Sequence, residues 1–218
     1  MITRASAPDL DDACAQRLAA GCRELNVAVD GAVQVRLLDY LALLDKWNRA
    51  YNLTAVRAPL DMVTRHLLDS LAIAPHLCGE RLIDVGTGGG LPGVPMAILF
   101  PRREFHLLDS NGKKTRFLFQ VKTALGLDNM TVHQARVESF QPDAAFDTVL
   151  SRAFATLADM VAGCRHLLAR DGHFLAMKGV HPAAEIEALA GSCEVRAVHA
   201  LRVPGLAEQR HLVDMTLC

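Results

Sequence analysis

The sequence has few aromatic residues and almost no net charge, and each scarcity limits what the protein can be. Aromatic residues make up only 5% of the 218 residues, so aliphatic side chains and alanine must fill most of the core. The formal net charge of −1 provides no global attraction to nucleic acids or membranes. A polyanionic partner would have to meet a local basic patch. The candidates are arginines spread over one face of the fold, or the cations Arg102, Arg103, Lys113, Lys114, Arg116 and Lys122.

Metal-binding, redox and membrane patterns are also missing. The six cysteines contain no Cys-x-x-Cys pair, and the nine histidines contain no HExxH motif. Cysteines without such partners usually serve as small apolar residues in proteins of a reducing compartment. We therefore expect no metal site. The N-terminus has no apolar signal core, and no apolar run reaches the length of a membrane span. We therefore expect a cytoplasmic protein with no membrane partner.

The chain changes in character at about residue 80. Residues 9–80 predict helices without a clear strand; Asp30 is suited to cap one helix, the polar stretch 48–52 interrupts it, and Pro59 and Asp61 mark another start. From residue 81 strands alternate with helices. The predicted strands are 81–85, 104–108, 130–133, 146–151, 173–177, 193–199 and 210–217, and the helices are 92–100, 112–125, 156–168 and 182–190.

This alternation indicates an α/β fold built on a mostly parallel, doubly wound sheet. The last two predicted strands have no helix between them, which predicts an antiparallel C-terminal edge. We divide the chain into an N-terminal helical extension, residues 1–80, and a core, residues 81–218.

A glycine-rich turn follows the first predicted strand. Gly86, Gly88 and Gly90 allow the backbone to turn tightly and to approach a ligand. Such a turn alone is shared by dinucleotide binders and other nucleoside binders. Its spacing departs from GxGxxG, and Asp84 near the strand end suits a positively charged group, which a methionine moiety offers and a pyrophosphate does not. S-adenosylmethionine therefore fits better than NAD.

Residues at the ends of later strands are further candidates for ligand binding, and each has an alternative, purely structural role. Asp109 could accept both ribose hydroxyls or cap the next helix. Residues 134–138 predict either the loop under an adenine ring, with Val137 against it, or a helix start with a surface glutamate. Arg152 could bond a carboxylate or phosphate, or form a surface salt bridge. Lys178 could do the same, or extend its stem along apolar surface.

Seven segments of the chain, in order, are specific as a set: 47–54 (WN with YNLT), 65–70 (RHLLDS), 84–93 (DVGTGGGLPG), 107–110 (LLDS), 136–138 (RVE), 151–154 (SRAF) and 178–179 (KG). Together they resemble the bacterial small-subunit ribosomal RNA methyltransferase G family, also called glucose-inhibited division protein B. The resemblance covers over half of the chain. The final DMTLC segment departs from the basic ending of that family.

The resemblance implies a Rossmann-like class I methyltransferase that transfers the methyl group of S-adenosylmethionine to guanine N7 in small-subunit (16S) ribosomal RNA. The expected partner is this RNA in the assembled subunit. The cofactor contacts that it implies are Gly86, Gly88, Leu91, Asp109, Val137, Glu138 and Arg152. RNA contacts are expected from Arg57, Arg65, His66, Arg152 and Lys178 if the helical extension folds over the cofactor edge. His66 could instead be a structural histidine bonded to its helix neighbours, and Trp47 and Tyr51 could stack a base or pack in the core.

Guanine N7 has an in-plane lone pair and no proton, so attack on a sulfonium methyl needs positioning and no catalytic base or nucleophile. The sequence agrees, because it contains neither the Asn/Asp-Pro-Pro-aromatic tetrad of exocyclic amine methylation nor a Pro-Cys or Thr-Cys dipeptide. The alternatives are a methyltransferase acting on a small molecule or a protein, and a non-catalytic RNA-binding module that senses S-adenosylmethionine. An NAD dehydrogenase is disfavoured by the missing fingerprint.

Overall fold

Seven strands form one sheet in the computed structural model, which describes residues 8–152, 154, 156–189 and 191–218. They are β1 (Arg81–Val85), β2 (Glu104–Asp109), β3 (Met130–Gln134), β4 (Phe146–Arg152), β5 (Leu168–Lys178), β6 (Cys193–Leu201) and β7 (Arg210–Leu217). Their order across the sheet is β3-β2-β1-β4-β5-β7-β6. β7 is antiparallel to both neighbours and the other adjacent pairs are parallel, which confirms the predicted sheet and its antiparallel C-terminal edge.

Helices cover both faces of this sheet. They are α1 (Pro8–Glu24), α2 (Gly31–Tyr51), α3 (Pro59–Met62), α4 (Asp69–Leu71), α5 (Gly93–Leu99), α6 (Gly112–Leu125), α7 (Leu157–Cys164) and α8 (Ala183–Glu187). Strand side chains alternate between the faces, so Leu82 packs in one hydrophobic cluster while Ile83 and Val85 pack in the other. Burial on both sides explains why the strands read as nearly continuous apolar runs.

The ends of α2 differ in how well the sequence predicts them. Asp30 is the N-cap, as predicted, and its carboxylate accepts a hydrogen bond from the Val33 amide at 2.8 Å. The predicted interruption at 48–52 is too early, because α2 continues to Tyr51 and ends at Asn52, whose φ is +50°. Asn48 is buried inside the helix, and its side chain accepts from the Thr54 amide at 2.9 Å. This polar residue therefore fixes the following loop from within the last helical turn.

A π-helical turn, Val63–Leu68, joins α3 to α4. The sequence predicts a helix here but gives no sign of the wider turn. Such turns are rare and are found most often at functional sites. This one carries Arg65 and His66 of the RHLLDS segment.

The boundary between α7 and β5 corrects the predicted helix at 156–168. α7 ends at Cys164, a 3-10 turn covers Arg165–Leu167, and β5 already begins at Leu168. The first residues of β5 are polar and exposed at Arg170 and Asp171, so they lack the apolar alternation by which a strand is recognised.

Residues on the two sides of position 80 share a hydrophobic core. One cluster joins Leu37 and Leu67 of the helical region to Leu82 and Phe105 of the sheet. The boundary at residue 80 thus separates kinds of secondary structure that pack together, and the division of the chain there stays a prediction. None of the described helices is long and apolar enough to cross a membrane.

Candidate active site

A cleft of about 300 Å³ opens at the carboxyl edge of the sheet. It lies where the strand order reverses on either side of β1, the position at which open α/β sheets bind ligands. Its walls come from the ends of β1 and β2, the first turn of α6 and the segment after β3. The lining residues are Val85, Gly86, Leu108, Asp109, Ser110, Lys114, Ala135, Arg136, Val137, Glu138 and Phe154.

The glycine turn leaves open space on the side of this cleft. Gly86 and Gly88 have φ values of +68° and +63°, which L-residues with side chains rarely adopt. A Cβ atom at Gly86 would meet no heavy atom within 4 Å, and one at Gly88 would meet only the Gly86 carbonyl oxygen, at 3.9 Å. A Cβ atom at Gly90 would instead lie 2.5 Å from the Val94 side chain. The first two glycines therefore border a cradle for a ligand, and the third permits packing of the turn.

Asp84 organises the turn from beneath. Its Oδ2 atom accepts hydrogen bonds from the Thr87 hydroxyl at 2.7 Å and from the Gly93 amide at 2.9 Å. Its Oδ1 atom is buried and has no partner among the described residues. Burial raises the pKa of Asp84 to about 6. Since this carboxylate is engaged by the turn and does not line the cleft, the expectation that it receives a ligand's charge directly is not supported by its position.

Asp109 borders the cleft and is held by three donors. Its Oδ2 atom accepts from the Gly88 amide at 3.0 Å and from the Lys114 ammonium at 3.3 Å, and its Oδ1 atom accepts from the Asn111 amide at 2.8 Å. The cap of α6 is Asn111, so the alternative that Asp109 caps this helix is wrong. The carboxylate thus links the glycine turn to α6 at the wall of the cleft.

The segment after β3 forms the opposite wall. Val137 and Glu138 begin a short 3-10 turn, and both line the cleft together with Phe154, which follows β4. The side chain of Val137 is half-buried and that of Glu138 is exposed. An apolar surface with an acceptor beside it suits a flat heterocycle that carries an amino group. Ala153 of the SRAF segment lies outside the described residues.

Arg152 lies at the end of β4 and faces the helical region. Its Nη1 atom donates to the Arg65 carbonyl oxygen at 3.2 Å and lies 3.4 Å from Oδ2 of Asp69. The other carboxylate oxygen of Asp69 accepts from Nε of Arg210 at 3.0 Å. The side chain of Asp69 is only 3% exposed, so this is a buried charge cluster and the alternative of a surface salt bridge is wrong. Arg152 is not among the residues that line the cleft beside Asp109.

His66 is buried next to this cluster. Its Nε2 atom lies 2.9 Å from the Thr54 hydroxyl oxygen, a partner outside its own helical turn. Burial, aided by the positive charge of Arg152, lowers the pKa of His66 to about 4, so the imidazole is neutral near pH 7. This placement suits a residue that holds the 54 loop rather than one exposed to a partner.

The remaining predicted residues lie apart from the cleft. Leu91 is 4% exposed and packs in the core beneath the turn. Arg57 is exposed and donates to Oδ1 of Asn52 at 2.9 Å. Lys178, at the end of β5, donates to Oε2 of Glu185 at 2.8 Å. The structure thus groups Gly86, Asp109, Val137 and Glu138 around one cleft, with Gly88 bonded to Asp109, and it groups Arg152 and His66 around a second centre.

The contacts of two site residues escaped the sequence reasoning. The buried hydroxyl of Tyr40, on α2, donates to the Gly89 carbonyl oxygen at 2.7 Å and fixes the turn from the helical region. Tyr40 lies on the apolar stripe of α2, so its spacing predicts a core residue. Lys114 contacts Asp109 from the next turn of α6, five residues away. A basic residue in the first turn after a strand-end aspartate was a signal that could have found it.

Trp47 packs between helices. Its ring stacks on Tyr51 with centroids 5.2 Å apart and contacts Phe117 of α6 at 5.6 Å. Within the described residues, no cluster of three or more histidine, cysteine, aspartate or glutamate side chains could hold a metal ion.

Solved structures with this fold include methyltransferases. The glycopeptide N-methyltransferase MtfA complexed with S-adenosyl-L-homocysteine matches 70% of this chain and 90% of its own, with a TM-score of 0.59 and 15% identity. TrmN from Thermus thermophilus matches 79% of this chain and 52% of its own, with a TM-score of 0.56 and 19% identity. At these identities the likeness shows the fold alone, which is that of the class I methyltransferases.

Sequence relatives are much closer. The ribosomal RNA small subunit methyltransferase G of Saccharophagus degradans is 60% identical over 182 residues, which cover 84% of this chain and 82% of the relative. The protein of the same name from Pseudomonas paraeruginosa is 58% identical over 200 residues, covering 91% and 94%. The family model described as rRNA small subunit methyltransferase G matches residues 34–213. The chain therefore belongs to the rRNA small subunit methyltransferase G family.

Proposed function

We propose that this enzyme transfers the methyl group of S-adenosylmethionine to N7 of a guanine in small-subunit (16S) ribosomal RNA. The observation that supports the proposal most directly is the open glycine turn beside Asp109, and it occurs in a chain that belongs to the rRNA small subunit methyltransferase G family. The space beyond Gly86 and Gly88 would admit a ligand, and the acceptor stands at the wall of the same cleft.

The residues present fit S-adenosylmethionine. Gly86 and Gly88 would border its methionine end, Asp109 would hold the ribose, and Val137 and Glu138 would meet the adenine. Leu91 would support the glycine turn from the core, and Arg152 would contact the cofactor from the end of β4. When bound, S-adenosylmethionine supplies an electrophilic methyl group on a sulfonium centre.

The chain's own residues act by positioning. Asp84, through Thr87 and Gly93, holds the backbone of the turn in place, and Tyr40 holds Gly89 from the other side. A preorganised turn fixes the methyl donor relative to the incoming base, which is the main catalytic requirement when the nucleophile is a lone pair without a proton. No residue is proposed as a general base.

RNA contacts are proposed from exposed and half-exposed cations of the helical region and the strand ends. Arg57 and Arg65 are on the helical region, and Arg152 and Lys178 end two neighbouring strands. His66, buried at 4% exposure, would act indirectly by fixing the 54 loop. We further propose that the substrate is the assembled subunit in the cytoplasm, because a chain of net charge −1 has little global attraction for free RNA.

The division of the chain is part of the proposal: residues 1–80 form a helical extension over the cofactor-binding core of residues 81–218. Enclosure of the cofactor edge by this extension would exclude water from the reacting centres.

The test uses methyl-labelled S-adenosylmethionine and small ribosomal subunits from a strain that lacks the modification. After incubation, the RNA is digested and the labelled nucleoside is identified. Label in 7-methylguanosine is expected. Label in another nucleoside, in protein, or nowhere would overturn the proposal, and the last outcome with intact cofactor binding would favour a non-catalytic sensor.

A further inference from the structure

Helix α6 concentrates positive charge. Its sequence, GKKTRFLFQVKTAL, contains four cations and no carboxylate, in a chain whose formal net charge is −1. Lys114 is bonded to Asp109, but within the described part of the chain Lys113, Arg116 and Lys122 form no ion pair with a carboxylate. Three charges on this helix are therefore not neutralised by a neighbour of opposite sign.

One exposed aromatic ring lies beside two of these charges. Among the described residues, the exposed aromatic side chains are Phe119, at 51%, and Tyr51, at 42%. Phe119 follows Lys113 and Arg116 at intervals of three residues, and all three are exposed, so they share one outer face of α6.

This surface begins at the mouth of the cleft. Ser110 and Lys114, at the start of α6, line the cleft itself, and Asn111 caps the helix between them. A polymer whose reacting unit entered beside the cleft could continue along the outer face of α6. The opposite, apolar face of the helix is occupied, because Phe117, Leu118 and Val121 are buried in the core.

We propose that the basic aromatic face, formed by Lys113, Arg116 and Phe119 of α6, binds a single-stranded segment of the ribosomal RNA substrate. Unpaired cations bind phosphates, and exposed rings stack on bases; their combination is typical of surfaces that bind single strands. A membrane surface is disfavoured because the apolar face of α6 is buried. This inference rests on the proposed function and adds where the RNA lies.

The first test removes the charges. The variant Lys113→Gln/Arg116→Gln is compared with Arg165→Gln/Arg170→Gln, which removes two exposed arginines at the amino edge of the sheet. Binding to small subunits and to their isolated RNA is measured by filter retention over a salt series, without methyl transfer. We expect the α6 variant to bind on the order of tenfold more weakly, with a salt slope reduced by about 0.7 per lost contact. The amino-edge variant should bind like the wild type.

The second test examines stacking. Phe119→Leu keeps an apolar side chain but loses the aromatic ring, whereas Phe119→Trp keeps a ring. We expect weaker binding for the leucine variant only, by about fivefold or more. Circular dichroism and affinity for S-adenosylmethionine should be unchanged in both variants, since the side chain is exposed.

The results separate this inference from the proposed function. If the α6 variant binds RNA as the wild type does, with the same salt slope, or if the wild type itself shows no salt-dependent binding, the basic aromatic face is not an RNA surface. An acidic protein that binds the wild type but not the α6 variant, in the absence of RNA binding, would also overturn it. Methyl transfer to guanine N7 is scored independently and decides the proposed function alone.

Discussion

Two carboxylates at the ends of neighbouring strands have opposite surroundings. Asp84 is sealed beneath the glycine turn, and one of its oxygens has no partner among the described residues. The cost of burying its charge raises its pKa to about 6. Asp109 is surrounded by donors at the wall of the cleft. From the sequence the two residues look alike, as aspartates closing apolar strands. Only the packing above each strand end decides which one can meet a ligand.

Replacing Asp109 with asparagine tests its role in cofactor binding. The substitution keeps the size of the side chain but removes the charge that would strengthen hydrogen bonds to the ribose hydroxyls. We expect the affinity for S-adenosylmethionine to fall by about tenfold or more, since a hydrogen bond to a charged group contributes roughly 1.5–3 kcal/mol. Isothermal titration calorimetry measures the change. Asp128→Asn, at an exposed position, is the control, and equal affinities for both variants would rule out the ribose role.

The buried imidazole of His66 makes stability depend on pH. Its pKa in the folded chain is about 4 instead of 6.5, so between these values the unfolded chain binds a proton that the folded chain does not. Stability from this group is therefore lost as the pH falls through that window, by up to about 1.4 kcal/mol per pH unit. The raised pKa of Asp84 has the opposite effect: below about pH 6 the folded chain binds a proton there more readily than the unfolded chain, so this group adds stability as the pH falls.

We therefore expect His66→Gln to lose less stability than the wild type between pH 7 and pH 5, as measured by urea unfolding at each pH. The exposed His181→Gln variant serves as the control and should follow the wild type. Parallel pH profiles for His66→Gln and the wild type would contradict the buried, neutral state of this histidine.

At the scale of elements, the side chain of Asp69 connects α4 to two strands of the sheet. Asp69 contacts Arg152 from β4 and Arg210 from β7, so a single carboxylate joins three segments that are distant in the sequence. Removing one partner of a buried ion pair leaves the others uncompensated, which is strongly destabilising.

Asp69→Ala should therefore lower the free energy of unfolding by about 3 kcal/mol or more. The matched control is Glu208→Ala, which breaks the exposed ion pair with Arg65 on the preceding turn and should cost at most about 1 kcal/mol. Urea unfolding of both variants gives the comparison. Similar losses for the two would mean that the buried cluster contributes no more than a surface pair.

Most elements of the core could be predicted from the sequence. β1, β2 and β3 match their predicted ranges to within a residue, because apolar alternation and flanking glycines or polar residues mark both ends. The prediction is wrong where these signals weaken: Arg170 and Asp171 belong to a strand although they are polar, and the π-helical turn leaves the apolar spacing of a helix nearly unchanged.

The site was predictable only in part. Gly86 and Asp109 lie at the carboxyl ends of the adjacent parallel strands β1 and β2, one βα unit apart, so their proximity follows from the order of the strands. The contacts of Tyr40 with Gly89, and of Asp69 with Arg152, join the helical region to the sheet. The local sequence pattern contains no information about how these distant segments pack against each other. The spacing of residues therefore could not predict these contacts.

At the scale of the whole molecule, the helical region and the sheet share a core and should unfold together. Trp47 is the only tryptophan and lies in α2, so its fluorescence reports on the helical region, while circular dichroism reports on the whole chain. We expect the two urea transitions to coincide. A fluorescence transition at lower urea would indicate that residues 1–80 open separately from the core.

The position of β7 has a consequence for how the protein is made. β7 follows β6 in the chain but lies between β5 and β6 in the sheet. During translation β6 consequently emerges with no strand to pair with, and it waits for residues 210–217 before it can join the sheet. Arg210, which completes the buried cluster around Asp69, arrives with the same segment. A nascent chain must therefore keep its half-built sheet edge away from other unpaired edges until translation has passed this segment.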